Sequence, residues 1–165
     1  MVRWRFWKSN SLTTIINPNF KHSRDEARRH YNQKNYDLAE PFLYKLLEID
    51  GTDEWTLDVL SRLLMNTGRH EEAIPLLESL CLPGPDLSVY RHRLARSLQN
   101  ADRIDESIDL LKDMIFQSEI EDEGWELLSR GLKKQFKQDR VDLFWKELAE
   151  SDVSSPHIDI EMIRI

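Results

Sequence analysis

The feature that most constrains this chain is a period of 34 residues. Ala39 lies in the run Tyr36-Asp-Leu-Ala-Glu-Pro-Phe-Leu-Tyr-Lys-Leu-Leu47, and Ala73, Ser107 and Val141 follow in similar runs at steps of 34. Other columns keep the same frame. A small residue recurs as Ala27, Ser61, Ala95 and Ser129. Apolar residues recur as Leu60, Leu94 and Leu128, and as Leu64, Leu98 and Leu132, with Glu26 and His30 at the matching places in the first unit. Two further columns run Leu43, Leu77, Leu111, Trp145 and Leu46, Leu80, Met114, Leu148. Self-similarity of this length marks a chain built by stacking one small unit, which cannot bury its apolar face alone.

The spacing inside each unit is helical. Leu57, Leu60 and Leu64 advance by three and four residues, which lines one face of a helix. The small column lets two helices approach closely, and the large columns fill the layer between units. Asp37, Glu71, Asp105 and Asp139 fall near the start of the second helix of each unit, as dipole partners or N-caps. Pro41 and Pro75 come early in those helices; proline costs least in the first turn, so both are tolerable with helix starts at about 37 and 71. Asn35 and Gly68 mark the turns between helices. The expected fold is all-α, with antiparallel helix pairs at about 20–53, 54–87, 88–121 and 122–153. A basic aromatic segment, 1–19, precedes them, and 154–165 follows as a cap or the start of a further segment. Ser154-Ser155-Pro156 interrupts the helical pattern, and 158–165 reads as a strand or a short capping helix.

The pattern resembles the tetratricopeptide repeat family over about residues 20–153. Trp125, Leu128 and Ser129 match the first half of that motif in the last unit, and Tyr36 and Ala39 match the second half in the first unit. Val141 stands where alanine is usual. The resemblance implies a right-handed alpha-alpha superhelix, a solenoid whose first helices line a concave groove. It implies a protein-binding scaffold or adaptor and no catalysis.

Composition narrows the function classes further. Residues 1–30 carry a net charge of +5 and the remainder −12, and the acidic body argues against nucleic acid as a general partner. Cys81 is the sole cysteine, which excludes an internal disulfide and a cysteine-based zinc cluster; it is expected in buried packing. An intracellular, cytoplasmic setting fits that usage. His22, His30, His70, His92 and His157 show no metal-ligand spacing, and no glycine-rich phosphate loop or nucleophile elbow is present. No cofactor, metal or catalytic residue is therefore expected. The segment Met1-Val-Arg-Trp-Arg-Phe-Trp-Lys8 sets aromatics beside cations, which suits packing, a partner or a membrane surface. Oligomer formation through the ends of the solenoid is a further expectation.

One column points to a binding site. Arg28, Arg62, Arg96 and Arg130 recur at 34, and one helical turn beyond each come Asn32, Asn66, Asn100 and Lys134. Fourteen arginines scattered over 165 positions rarely fill one column this way. The resemblance implies that these columns face the groove. Arginine presents a planar fork to carboxylate or phosphate, and asparagine offers both donor and acceptor to a peptide backbone. Tyr31, Trp55 and Met65 are expected nearby as apolar contacts, either to a ligand or to the adjoining helix. Successive first helices about 10 Å apart would span about nine extended residues of an acidic segment. A structural reading stands beside this one, in which the arginines pair with acids such as Asp58, Glu123 and Glu126. An alternative function is a regulatory or docking module of a larger enzyme, such as a sugar- or sulfotransferase, which the end at Ile165 would fit.

Overall fold

Each 34-residue period contains two helix-favouring stretches separated by a polar turn, and both become helices. The structure is a computed structural model that describes residues 18–82, 87–151 and 153–164. Among these residues the elements are α1 (Pro18–Asn32), α2 (Tyr36–Ile49), α3 (Glu54–Asn66), α4 (His70–Leu80), α5 (Leu87–Asn100), α6 (Ile104–Phe116), α7 (Asp122–Gln135), α8 (Gln138–Ala149) and α9 (Pro156–Arg164). No strand occurs among the described residues. Of the two readings of the C-terminal segment, the helix is the one that forms. The basic aromatic run Met1–Lys8 lies outside the described residues.

The chain divides into two compact units, Met1–Leu80 and Cys81–Ile165. In the first, α1 packs on α2 and α3 on α4, and α2 joins the two pairs by packing on α3. In the second, α5 packs on α6, α6 and α5 both meet α7, and α9 lies against α8. The 34-residue columns explain these contacts. Leu43, Leu77 and Leu111 are fully buried, Trp145 is nearly so, and Ala27, Ser61 and Ala95 are buried where helices meet. Burying such side chains supplies the main favourable term for folding. In the second unit the core runs from Ile104 and Leu111 through Trp125, Leu128 and Trp145 to Ile158 of α9.

The turns inside the first three pairs share one geometry. Lys34, Gly68 and Asp102, again 34 apart, each adopt a left-handed conformation, with φ of 60°, 77° and 62°. The N–H of the following residue reaches back to the helix: Asn35 to the His30 carbonyl at 3.0 Å, Arg69 to Leu64 at 2.8 Å and Arg103 to Leu98 at 2.8 Å. Lys34, Gly68 and Asp102 themselves donate to Tyr31, Met65 and Gln99. This is the Schellman arrangement, which satisfies carbonyls that a helix end leaves free. Only Gly68 is the residue type that takes this φ without strain. Nothing lies within 4 Å of a Cβ built there, so a side chain would cost backbone strain alone. Gly68→Ala is expected to lower stability by about 1 kcal/mol in urea denaturation, with no change in helical content.

The fourth pair turns differently. α7 ends at Gln135, and Phe136 (φ −119°, ψ 156°) and Lys137 lead in an extended conformation directly into α8. The turn has no left-handed residue, so the departure of the last unit from the motif extends to its backbone.

The helices give the prolines and the acids definite places. Pro41 and Pro75 are each the sixth residue of their helices, beyond the first turn. Both are exposed, so the ring points to solvent, and the carbonyl that loses its partner belongs to exposed Asp37 or Glu71. Asp37, Glu71, Asp105 and Asp139 each stand second in their helices and not at the N-cap. Asn35, Arg103 and Lys137 hold the N-cap positions of α2, α6 and α8 without a side-chain capping bond. The acids thus act on the helix dipole. Cys81 is only partly buried, because it follows the end of α4.

Candidate functional site

The ladder residues fall on α1, α3, α5 and α7, the first helix of each pair. Arg28, Asn32, Asn66, Arg96, Asn100, Arg130 and Lys134 are exposed, and Arg62 is partly exposed. Helical geometry explains why. Arg28, Arg62 and Arg96 directly follow buried Ala27, Ser61 and Ala95, and Arg130 follows partly buried Ser129, so each emerges at the margin of the helix contact.

In the first unit the site is a lattice of guanidinium groups and aromatic rings. Arg24 and Arg28 on α1 reach across to Trp55 on α3, with their Cζ atoms 4.5 Å and 5.4 Å from the ring centroid. Arg62 on α3 reaches the opposite way to Tyr31 on α1, at 5.8 Å. Tyr31 also lies against Tyr36, with centroids 5.7 Å apart, and the Tyr36 hydroxyl accepts from the Asn66 side-chain amide at 3.3 Å. Such cation–π contacts hold the guanidinium plane while leaving N–H groups at its rim.

Buried polar groups fix this lattice from below. Asp53 is fully buried at the N-cap of α3. One carboxylate oxygen accepts from the Thr56 backbone N–H at 2.9 Å and its hydroxyl at 2.6 Å. The other oxygen faces the Arg24 guanidinium at 3.6 Å. Asp53 therefore caps one helix and anchors an arginine of the other. Sequence reasoning missed Arg24 and Asp53. The signal was present in Asp53-Glu-Trp-Thr56, an acid three residues before a threonine at a helix start.

The arginines differ in what satisfies them. Arg62 pairs with Asp58 one turn earlier on its own helix, at 2.5 Å. Arg96 on α5 pairs with Glu123 on α7. Lys134 meets Asp102 at 2.7 Å, and that lysine holds the Asp102 carboxyl below the usual carboxylate range. Arg28 and Arg130 have no ion-pair partner among the described residues. Asp58 and Glu123 thus do form the pairs that the structural reading expected. Both of those pairs are partly or largely exposed, so each adds little to stability. Met65 is partly buried, one turn from the Arg62 level.

The second unit has a tighter contact that the sequence did not reveal. α7 meets α5 through two glycines, Gly124 and Gly131. A Cβ on Gly124 would lie 2.6 Å from His92 Nε2, and one on Gly131 would lie 2.9 Å from Gln99 Nε2. His92 is buried, with Nδ1 2.8 Å from the Ser88 carbonyl, and Gln99 donates to the Leu127 carbonyl at 2.7 Å. Arg91 beside them is also buried and donates to Glu119 at 2.6 Å and Gln117 at 2.7 Å. These groups are spent on holding the two helices and the loop before α7.

Among the described residues no group of three or more His, Cys, Asp or Glu is arranged to hold a metal ion. No helix among them is long and apolar enough to cross a membrane.

No protein-family model matches the sequence, and no curated protein matches it either. The fold does have solved counterparts. It is similar to the crystal structure of MamA protein, with a TM-score of 0.64 and 17% identity over 78% of this chain and 70% of that one. A second structure, of a MamA point mutant, gives a TM-score of 0.51 and 17% identity over 81% of this chain and 97% of that one. At this identity the likeness is one of fold: the chain is an all-α protein of the helix-pair solenoid class.

Proposed function

We propose that this chain is a non-catalytic interaction scaffold of the tetratricopeptide type, whose first-helix faces bind an extended acidic segment of a partner protein. The observation that carries the reading is the exposure of the Arg/Asn ladder. The small column directly before the arginines is buried in the first three pairs, whereas the arginine column repeats in register and stays at least partly exposed in all four. Arginine supplies paired donors to the acidic side chains, asparagine supplies bonds to the extended backbone, and Tyr31 and Trp55 supply flat apolar contact. The units proposed for binding are the four helix pairs at about 20–53, 54–87, 88–121 and 122–153.

The test is a fluorescence-anisotropy titration with a labelled peptide of about nine residues, rich in glutamate, against the same peptide with glutamine in place of glutamate. The glutamate peptide is expected to bind more tightly, with an affinity that falls as salt rises, since exposed charges are screened over about 8–10 Å at ordinary ionic strength. Arg62→Ala together with Arg96→Ala is expected to weaken binding by about tenfold or more, with the helical circular-dichroism signal retained. Equal binding of the two peptides would contradict the reading.

A further inference from the structure

Arg28 and Arg96 occupy the same place in the 34-residue frame, and each meets the residue 27 positions further along, on the first helix of the next pair. For Arg28 that residue is Trp55 on α3, with the guanidinium 5.4 Å from the ring centroid. For Arg96 it is Glu123 on α7, in an ion pair. One position of the repeat thus carries an aromatic ring in the first unit and a carboxylate in the second. The consequence for an incoming anion is opposite in the two cases. A ring contacts the face of the guanidinium and leaves its in-plane N–H donors available, whereas a carboxylate occupies those donors.

The surroundings of the two arginines differ in the same sense. In the first unit Trp55 also contacts Arg24, which is fixed from below by buried Asp53; Arg62 there lies over Tyr31 and pairs with Asp58. Arg28 has no ion-pair partner among the described residues. In the second unit Glu123 neutralises Arg96 and Asp102 neutralises Lys134. Arg130 has neither a ring nor an acid among the described residues. A guanidinium without support loses more rotational freedom when it binds than one already stacked on a ring.

We infer that the first unit holds the principal carboxylate-binding subsite of this protein, formed by Arg28 lying over the Trp55 ring, and that Glu123 acts as an internal competitor that closes the equivalent subsite in the second. The ligand class is the side-chain carboxylate of an aspartate or glutamate, gripped edge-on by the Arg28 fork. This rests on the reading of the ladder as a site for an acidic segment. Trp55 is a positioning residue here: it sets the plane of Arg28 and does not itself carry the charge.

The test uses the full chain and the labelled glutamate peptide, at low salt. Arg28→Ala is expected to weaken binding by at least about fivefold more than Arg96→Ala does. Arg28→Lys keeps the charge but not the planar fork, and is expected to recover less than half of the lost affinity. Glu123→Gln is expected to tighten binding, because it releases Arg96. Trp55→Leu is expected to weaken binding even with Arg28 present, and an unchanged helical circular-dichroism signal and urea midpoint of Trp55→Leu itself separate that loss from any effect on folding. Equal losses for Arg28→Ala and Arg96→Ala would overturn the assignment of the subsite while leaving an acidic-segment scaffold intact. Full recovery by Arg28→Lys would overturn the fork-over-ring geometry. No salt-sensitive binding of the glutamate peptide by the unaltered protein would overturn both this inference and the function on which it rests.

Discussion

Replacing Trp145 with alanine is expected to remove about 3–5 kcal/mol of stability, enough to unfold much of the second unit at ambient temperature. Trp145 is 1% exposed. Its ring lies 6.3 Å from that of Trp125 and meets Phe144 edge-on at 5.5 Å. It stands in the column held by leucine in the other units, so it fills with one large ring a space that Leu111 fills in the neighbouring pair. Truncation leaves a cavity walled by Trp125, Leu128 and Leu148, helix residues that have limited freedom to collapse inward. Urea denaturation followed by far-ultraviolet circular dichroism measures the loss. A change below about 1 kcal/mol would mean that the fourth pair is not part of the core.

The second large effect is expected at Asp53. Asp53→Ala removes the N-cap of α3 and leaves the partly buried Arg24 without its carboxylate. Breaking a buried pair from one side typically costs about 3–5 kcal/mol. Asp53→Asn is expected to cost less, because an amide oxygen still accepts from Thr56. The two variants also separate folding from the site. Asp53→Asn leaves α3 capped but loosens Arg24, whose guanidinium lies 4.5 Å from the Trp55 ring centroid. A stable Asp53→Asn protein with weakened peptide binding would show that the buried acid organises the surface above it. Equal stability loss in both variants would place the whole effect in the charge.

Much of the fold was legible because the repeat makes each position testable against its copies. Leu43, Leu77, Leu111 and Trp145 are all at the core because this column fills the layer between helices in each pair. The left-handed turn residues were legible only at Gly68, since Lys34 and Asp102 take the same φ without a glycine to announce it. The Schellman hydrogen bonds impose that geometry whatever the side chain. The close approach of α7 to α5 was hidden for a related reason. Gly124 and Gly131 belong to no repeated column, and their role shows only with His92 and Gln99 opposite them.

The ladder was legible as a pattern and not as an electrostatic state. The spacing of Arg28, Arg62, Arg96 and Arg130 is written in the sequence, but which of them is neutralised depends on side chains from another helix. Glu123 was recognised as a candidate acid, whereas Trp55 was expected only as an apolar contact. The structure gives them equivalent places against Arg96 and Arg28. Arg24 escaped notice because it belongs to no repeated column: the residue 34 positions later is Asp58, which pairs with Arg62.

The central claim is that the exposed first-helix faces bind an acidic segment, and nuclear magnetic resonance tests it without choosing residues in advance. The glutamate peptide is titrated into isotope-labelled protein, and backbone amide shifts are followed in nitrogen–proton correlation spectra. Saturable shifts are expected at Arg28, Tyr31, Asn32, Trp55 and Arg62, with smaller ones at Arg96 and Arg130. Shifts confined to the second helices of the pairs, or none at a concentration that saturates the anisotropy signal, would contradict it.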